Sequence, residues 1–149
     1  MINPHLRWHK GQCLRTYPYT PDLDKIPKAP GVYMFYRMYG KNHQVFYVGK
    51  ALNLRTRLKG QLNNLKLMNS IKSAARGARM LSYAEVMLKP GQKSNSAIVA
   101  AEKLLIRHFV EEGHVLFNVQ GVKLRVQTLT NERPQDLKLV IPKRTQIEA

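Results

Sequence analysis

The sequence predicts an α/β domain of the α+β kind, with a small antiparallel or mixed central sheet of three or more strands flanked by helices. Three observations predict it. Two β-branched and aromatic stretches, residues 32–39 (VYMFYRMY) and 44–48 (QVFYV), are separated only by Gly40-Lys41-Asn42-His43, which is a hairpin signature. A stripe of leucines at steps of three and four follows directly, and that period is helical. With 149 residues, 44% hydrophobic and 23% charged, the chain is one domain's worth and can bury a core, so wholesale disorder is excluded.

Taken in order, residues 1–29 read as a proline-rich N-terminal arm. Prolines at 4, 18, 21, 27 and 30 argue against a long helix or a central strand there. Trp8, Tyr17 and Tyr19 offer ring surface for packing onto the domain. His5, His9 and Cys13 would align on a helix as soft metal ligands. Gly11 weakens any such helix and a fourth ligand is missing, so no zinc site is expected.

The domain proper spans residues 30–121. Its hairpin ends at Gly49, after which Leu54, Leu58, Leu62, Leu65, Met68 and Ile71 make one apolar stripe. Gly60 argues against an unbroken helix, and Asn69-Ser70 is a candidate start for a second one. Residues 81–88 (LSYAEVML) predict a third strand, closed by Lys89-Pro90-Gly91. Ser94-Asn95-Ser96 offers N-caps for a helix running to about Glu112 and stopped by Gly113. Residues 115–119 are short and strand-like. The C-terminal extension, 122–149, holds two apolar stretches, VKLRV and LKLVI. It is either a further hairpin on the sheet edge or a docked extension.

Charge narrows the function. Twenty-five Lys and Arg against nine Asp and Glu give a formal +16. Between Lys25 and Ala84 there are twelve basic side chains and no carboxylate. So biased a surface repels itself unless its partner is a polyanion, and nucleic acid fits best. An anionic membrane fits poorly, because no amphipathic face is more apolar than a core requires and no run is long enough to span a bilayer. The first ten residues show no secretory signal, and the lone Cys13 suits a reducing compartment, so a cytoplasmic location is expected. Charge does not separate a binder from an enzyme.

One residue is out of place. On the helix after Ser96, the residues Ile98, Ala101, Leu105, Ile106 and Phe109 form the apolar face, and Glu102 falls in the middle of it. A carboxylate among aliphatic groups is costly unless it is paired or bound to a cation. An internal salt bridge is one explanation. A hard cation is the other, since Mg²⁺ is often held by one or two carboxylates plus phosphate oxygens and water.

The hairpin supplies company for Glu102. Gly31-Val32-Tyr33 lies on one strand and Tyr47-Val48-Gly49 on the other, followed by Lys50 and, on the next helix, Arg57. This ordered set, with Glu102 and Asn118, resembles the GIY-YIG nuclease superfamily, and in look is most similar to the N-terminal nuclease domain of the bacterial excision-repair incision subunit. The resemblance implies a GIY-YIG-type fold and a divalent-metal-dependent endonuclease that hydrolyses phosphodiester bonds of DNA, with RNA left open. It implies Tyr33 and Tyr47 flanking the scissile phosphate, Arg57 as the catalytic arginine, and Glu102 as the sole protein ligand of one Mg²⁺ or Mn²⁺ ion. Asn118 would brace the site, and Lys50 would add positive charge beside the nucleophile. Lys50, Arg55, Lys59 and Gln61 are the candidate nucleic-acid contacts. Duplex cleavage by one metal site would require a homodimer, sequential nicking or repositioning, and specificity would come from the arm, the tail or a partner protein.

The residue types suit the chemistry. A planar guanidinium at Arg57 matches non-bridging phosphate oxygens. A tyrosine is a poor base at neutral pH, with a free pKa near 10, so a surrounding positive field must favour phenolate. Tyr33 is the favoured base, with Tyr47 orienting phosphate or water. Gly31 and Gly49 are expected where the nucleic-acid backbone approaches closely. Valine stands where the family's tripeptides have isoleucine, and Gln61 stands four residues after Arg57, where the family usually has His or Tyr. A glutamine can donate a hydrogen bond to phosphate but cannot carry a proton, which keeps open an alternative: a catalytically silent nucleic-acid-binding module with the same fold.

Overall fold

The computed structural model describes residues 3–117, 127–138, 140–142 and 144–147. The chain runs through β1 (His5–Trp8), β2 (Gln12–Leu14), β3 (Gly31–Tyr39), β4 (Asn42–Ala51), α1 (Leu54–Gln61), α2 (Leu65–Ser73), β5 (Ala78–Met87), α3 (Ser94–Glu111), β6 (Gln127–Glu132) and β7 (Arg144–Ile147). The described strands form one mixed sheet in the order β4-β3-β5-β1-β6-β7, with β2 also paired to β5. Every pairing is antiparallel except β1 with β6. The expected α/β architecture is therefore present, with helices on both faces of a larger sheet.

β3 and β4 join through Gly40-Lys41, and Gly40 takes the positive φ of 61° that a two-residue hairpin asks of its first corner. The register then slips. Tyr36 pairs with Val45 but Phe35 pairs with Tyr47, so Phe46 is an extra residue on β4, a β-bulge. Beyond it, Tyr33 faces Gly49 and Val32 faces Lys50.

Each sheet face has its own core. Val32, Met34, Tyr36, Val45 and Val48 pack under α3, whose buried side includes Ile98, Ala101, Leu105, Ile106 and Phe109, as the sequence predicts. Tyr33, Phe35, Phe46, Leu81 and Tyr83 pack under Leu54 and Leu58 of α1 and Leu67, Met68 and Ile71 of α2.

Several local expectations are corrected. The stretch before Pro30 supplies an interior strand: β1 is short enough to fit between Pro4 and the later prolines, and it pairs with both β5 and β6. His5 and Cys13 thus lie on strands, not on one helix, and no metal-binding group of three His, Cys, Asp or Glu exists among the described residues. The leucine stripe breaks between Gln61 and Leu65 rather than at Gly60 or Asn69, because Asn64 caps α2 by accepting from the Leu67 N–H at 3.1 Å. α3 starts at Ser94 after Lys93, and no side chain caps it. Residues 115–117 are not a strand, though Phe117 N–H reaches the Phe46 carbonyl at 2.7 Å.

In the C-terminal extension β6 and β7 pair antiparallel, and these strands are not the two apolar stretches. Leu137, Val140 and Ile141 of LKLVI are buried in the core that α3 covers, while VKLRV lies outside the described residues. β6 is fastened to β1 by a buried bond from Trp8 Nε1 to Asn131 Oδ1 at 2.9 Å.

Candidate active site

The site wraps around an edge strand. Among the described strands β4 ends the sheet on one side, so its outward N–H and C=O groups have no β partner there and must find others. Val45 N–H donates to His114 Nδ1 at 2.9 Å, and the Lys50 N–H donates to the Glu102 carboxylate. Layers from both faces thereby meet at Gly49-Lys50. A cleft of about 240 Å³ opens there, lined by Tyr33, Tyr47, Gly49, Lys50, Arg57, Glu102 and Ile106.

The bulge explains why Tyr47 belongs to this cleft. Without an extra residue, strict alternation would place Tyr47 on the face opposite Phe46, under α3. With Phe46 bulged, Phe46 and Tyr47 both lie on the α1–α2 face, and Tyr47 stacks on Tyr33 with ring centroids 6.1 Å apart and planes 23° apart. Nothing in the residue pattern announced that slip.

Each of the two glycines leaves room for a neighbouring group of the protein. A Cβ on Gly49 would collide with the Tyr33 phenol, and one on Gly31 would collide with the Ala84 carbonyl oxygen. Gly49 is the floor over which Tyr33 lies.

Tyr33 is buried, and burial raises its pKa; the hydrogen bond from Gln61 and the positive charge of Arg57 oppose the rise. Glu102 is half-buried. Its carboxyl is also raised, chiefly by burial, against the pull of Lys50, Lys103, Arg57 and the Lys50 backbone N–H. The internal salt bridge considered for Glu102 is absent: no ion pair within 4.0 Å is formed by it among the described residues. A desolvated carboxylate held by one N–H, facing a polar cleft, suits a hard cation that takes its remaining oxygens from water and phosphate.

α1 delivers the arginine. Asn53 caps its start by accepting from the Thr56 N–H at 3.1 Å, Leu54 and Leu58 bury one side, and Arg57 and Gln61 fall four residues apart on the next. Arg57 is exposed, lines the cleft, and also borders an adjoining groove of about 570 Å³ with Asn53, Thr56, Gln61 and Asn64.

Arg55 points elsewhere. It donates from Nε to the Ile26 carbonyl at 2.8 Å and from Nη2 to the Asp24 carbonyl at 3.1 Å, tying α1 to the N-terminal segment. Lys59 is exposed on α1 and lines neither the cleft nor the adjoining groove. Gln61, read as a phosphate contact, instead donates from Nε2 to the Tyr33 hydroxyl at 2.8 Å and the Tyr47 hydroxyl at 3.2 Å. Asn118 lies outside the described residues. Asn64, which donates to Gln61, escaped the sequence reading because no helix start was read at that position.

Known proteins share this stretch. Over 64 residues the chain is 42% identical to the UvrABC system protein C of Finegoldia magna, covering 43% of this chain and 9% of that protein. Over 84 residues it is 36% identical to the UvrABC system protein C of Pseudothermotoga lettingae, covering 55% of this chain and 14% of that one. The chain thus spans only a small part of the length of these curated relatives. No solved structure matches at comparable significance. The family model of the UvrC-like GIY-YIG domain matches residues 29–108, from just before β3 to His108 in the last turn of the Glu102 helix. By that match over more than half its length, the chain belongs to the UvrC-like GIY-YIG domain family.

Proposed function

We propose that this chain is an endonuclease domain that hydrolyses phosphodiester bonds of DNA with one divalent ion. The observation that carries the reading is the convergence of Arg57, Tyr33, Tyr47 and an ion-unpaired Glu102 on one cleft beside an acid-free stretch. A pure binder of polyanions gains nothing from a half-buried carboxylate inside its basic cleft.

In this mechanism the Arg57 fork binds non-bridging oxygens and stabilises the charge that develops as water attacks phosphorus. Tyr33 takes the proton of that water. Its phenol stays protonated at neutral pH while buried, so it acts as a base only when Arg57 and Lys50 concentrate positive charge around it. Tyr47, half-exposed at the cleft, orients the phosphate or the water. Glu102 would hold Mg²⁺ or Mn²⁺, which supplies Lewis-acid stabilisation of the oxygen leaving phosphorus. By resemblance to the excision-repair subunit, we extend the proposal to DNA repair in company with partner proteins.

The test is a nuclease assay at low salt on supercoiled plasmid and labelled single strands, with Mg²⁺ or Mn²⁺ against EDTA. Metal-dependent cutting by the wild type that disappears in Glu102→Ala, with DNA binding retained, supports the proposal. Equal loss of binding and cutting counts against the metal-ligand role. Gln61, which cannot carry a proton, favours the second reading, a silent binding module; binding without cutting in both proteins would select it.

A further inference from the structure

The hydroxyls of Tyr33 and Tyr47 meet at one carboxamide, and its orientation is fixed from outside the cleft. Gln61 Nε2 has two hydrogens, and it donates to Tyr33 Oη at 2.8 Å and to Tyr47 Oη at 3.2 Å. Its Oε1 accepts from Asn64 Nδ2 at 3.2 Å. Asn64 is in turn committed, because its Oδ1 accepts from the Leu67 N–H at the start of α2. A backbone N–H cannot be reversed. Each step therefore dictates the next: the helix N–H selects the oxygen of Asn64, the remaining amide of Asn64 selects the oxygen of Gln61, and the nitrogen of Gln61 is left for the phenols.

We propose that Asn64 and Gln61 are positioning residues that set the hydrogen-bond polarity of the tyrosine pair, making both phenol oxygens acceptors toward Gln61 and turning both hydroxyl protons away from it. This rests on the nuclease reading for its catalytic meaning, though not for its geometry.

The polarity has a chemical consequence. A phenol that accepts from an N–H keeps that bond when it loses its proton, and the bond strengthens because the acceptor is now an anion. A phenol that donated to Oε1 would instead lose its bond on ionising and leave two bare oxygens facing each other. The observed orientation lets Tyr33 give up its proton and regain it with no side chain turning. Gln61 thus serves the cycle without carrying a proton, and its substitution for a titratable side chain need not silence the site.

Asn64→Asp tests the chain while sparing the helix. Aspartate caps as well as asparagine does, and position 64 is exposed. Its second oxygen, however, cannot donate to Gln61, so the carboxamide is expected to turn its nitrogen to Asp and its oxygen to the tyrosines. In the wild type, the Gln61 side-chain amide protons should show NOEs to the ring protons of both Tyr33 and Tyr47. In Asn64→Asp those NOEs should vanish, with helix content and melting temperature kept, and kcat on saturating DNA should fall at least tenfold.

Gln61→Glu offers only acceptor oxygens at the same length and should lose at least as much, with little change in KM. Surviving NOEs in Asn64→Asp, or Gln61→Glu turning over within twofold of the wild type, would overturn the proposal. If the wild type itself does not cleave, the nuclease reading fails separately. The NOEs then decide the polarity alone, and their absence in the wild type overturns it.

Discussion

Arg55 and Arg57 sit two positions apart on one helix and have different fates. Arg57→Ala should lower kcat by two or more orders of magnitude, about 3 kcal/mol of transition-state stabilisation, because its guanidinium faces the cleft. Arg55→Ala should leave turnover nearly unchanged and lower the melting temperature, because it removes donors to Ile26 and Asp24. Steady-state rates and thermal melts on the two variants separate the roles. For Glu102 the sign of the pH effect follows from its raised pKa. The folded state holds this proton more tightly than the unfolded chain, so the stability it contributes is present below the unfolded value and lost as pH rises through the folded one. Glu102→Gln should therefore be at least as stable as the wild type at neutral pH, with the gain growing from acid toward neutral. Mg²⁺ or Mn²⁺ should raise the melting temperature of the wild type and not of the variant.

At the scale of elements, the joint between α2 and β5 hangs on Arg79. This buried side chain donates to five carbonyls, at Ile71, Lys72, Ala74, Ala75 and Gly77, over distances of 2.6–3.4 Å. Those carbonyls belong to the end of α2 and the turn that follows it, where helix carbonyls run short of backbone partners. A lysine has no fork to span them, so Arg79→Lys should destabilise by roughly 3 kcal/mol in denaturant titrations.

Where the sequence was legible, the signal was local. The hairpin, the third strand and the apolar face of α3 follow from residue type and period, and so does the oddity of Glu102. The break before α2 was misplaced because Gly60 is a louder signal than Asn64, although only Asn64 makes the capping bond. The bulge at Phe46 was invisible, since Val45-Phe46-Tyr47-Val48 suits a regular strand equally well. β1 was missed because prolines around it outweighed a four-residue strand whose partners, β5 and β6, are distant in sequence. The Gln61–tyrosine contacts were missed for the same reason: they join α1 to both strands of the hairpin, and pairing across elements leaves no periodic trace.

For the molecule as a whole, the charge of +16 predicts that DNA affinity falls linearly with salt on logarithmic axes, as counterions are released. A second whole-molecule property is set at the far end of β4. His43, His108 and His114 gather where the hairpin, the end of α3 and Lys138 enclose a cavity of about 210 Å³. All three have lowered pKa values: burial is the first cause, neighbouring imidazoles add to it for His108 and His114, and Glu112 opposes it. Their stabilising contribution is complete above the ordinary histidine value and is lost as pH falls through the lower folded values. Protonation of His114 also removes the acceptor for Val45 N–H. Melting temperature should drop as pH falls below about 6.5, and His114→Asn, which keeps an acceptor, should flatten that drop.

The order of strands has a practical corollary. β4, with the cleft, and β7, near the C-terminal end, are opposite margins of one sheet, five strand spacings apart, or about 24 Å. A surface tether or a fluorescent fusion attached beyond β7 would hang from the margin away from the cleft. The domain can therefore be immobilised from that margin for single-molecule work, with the cleft left toward solution.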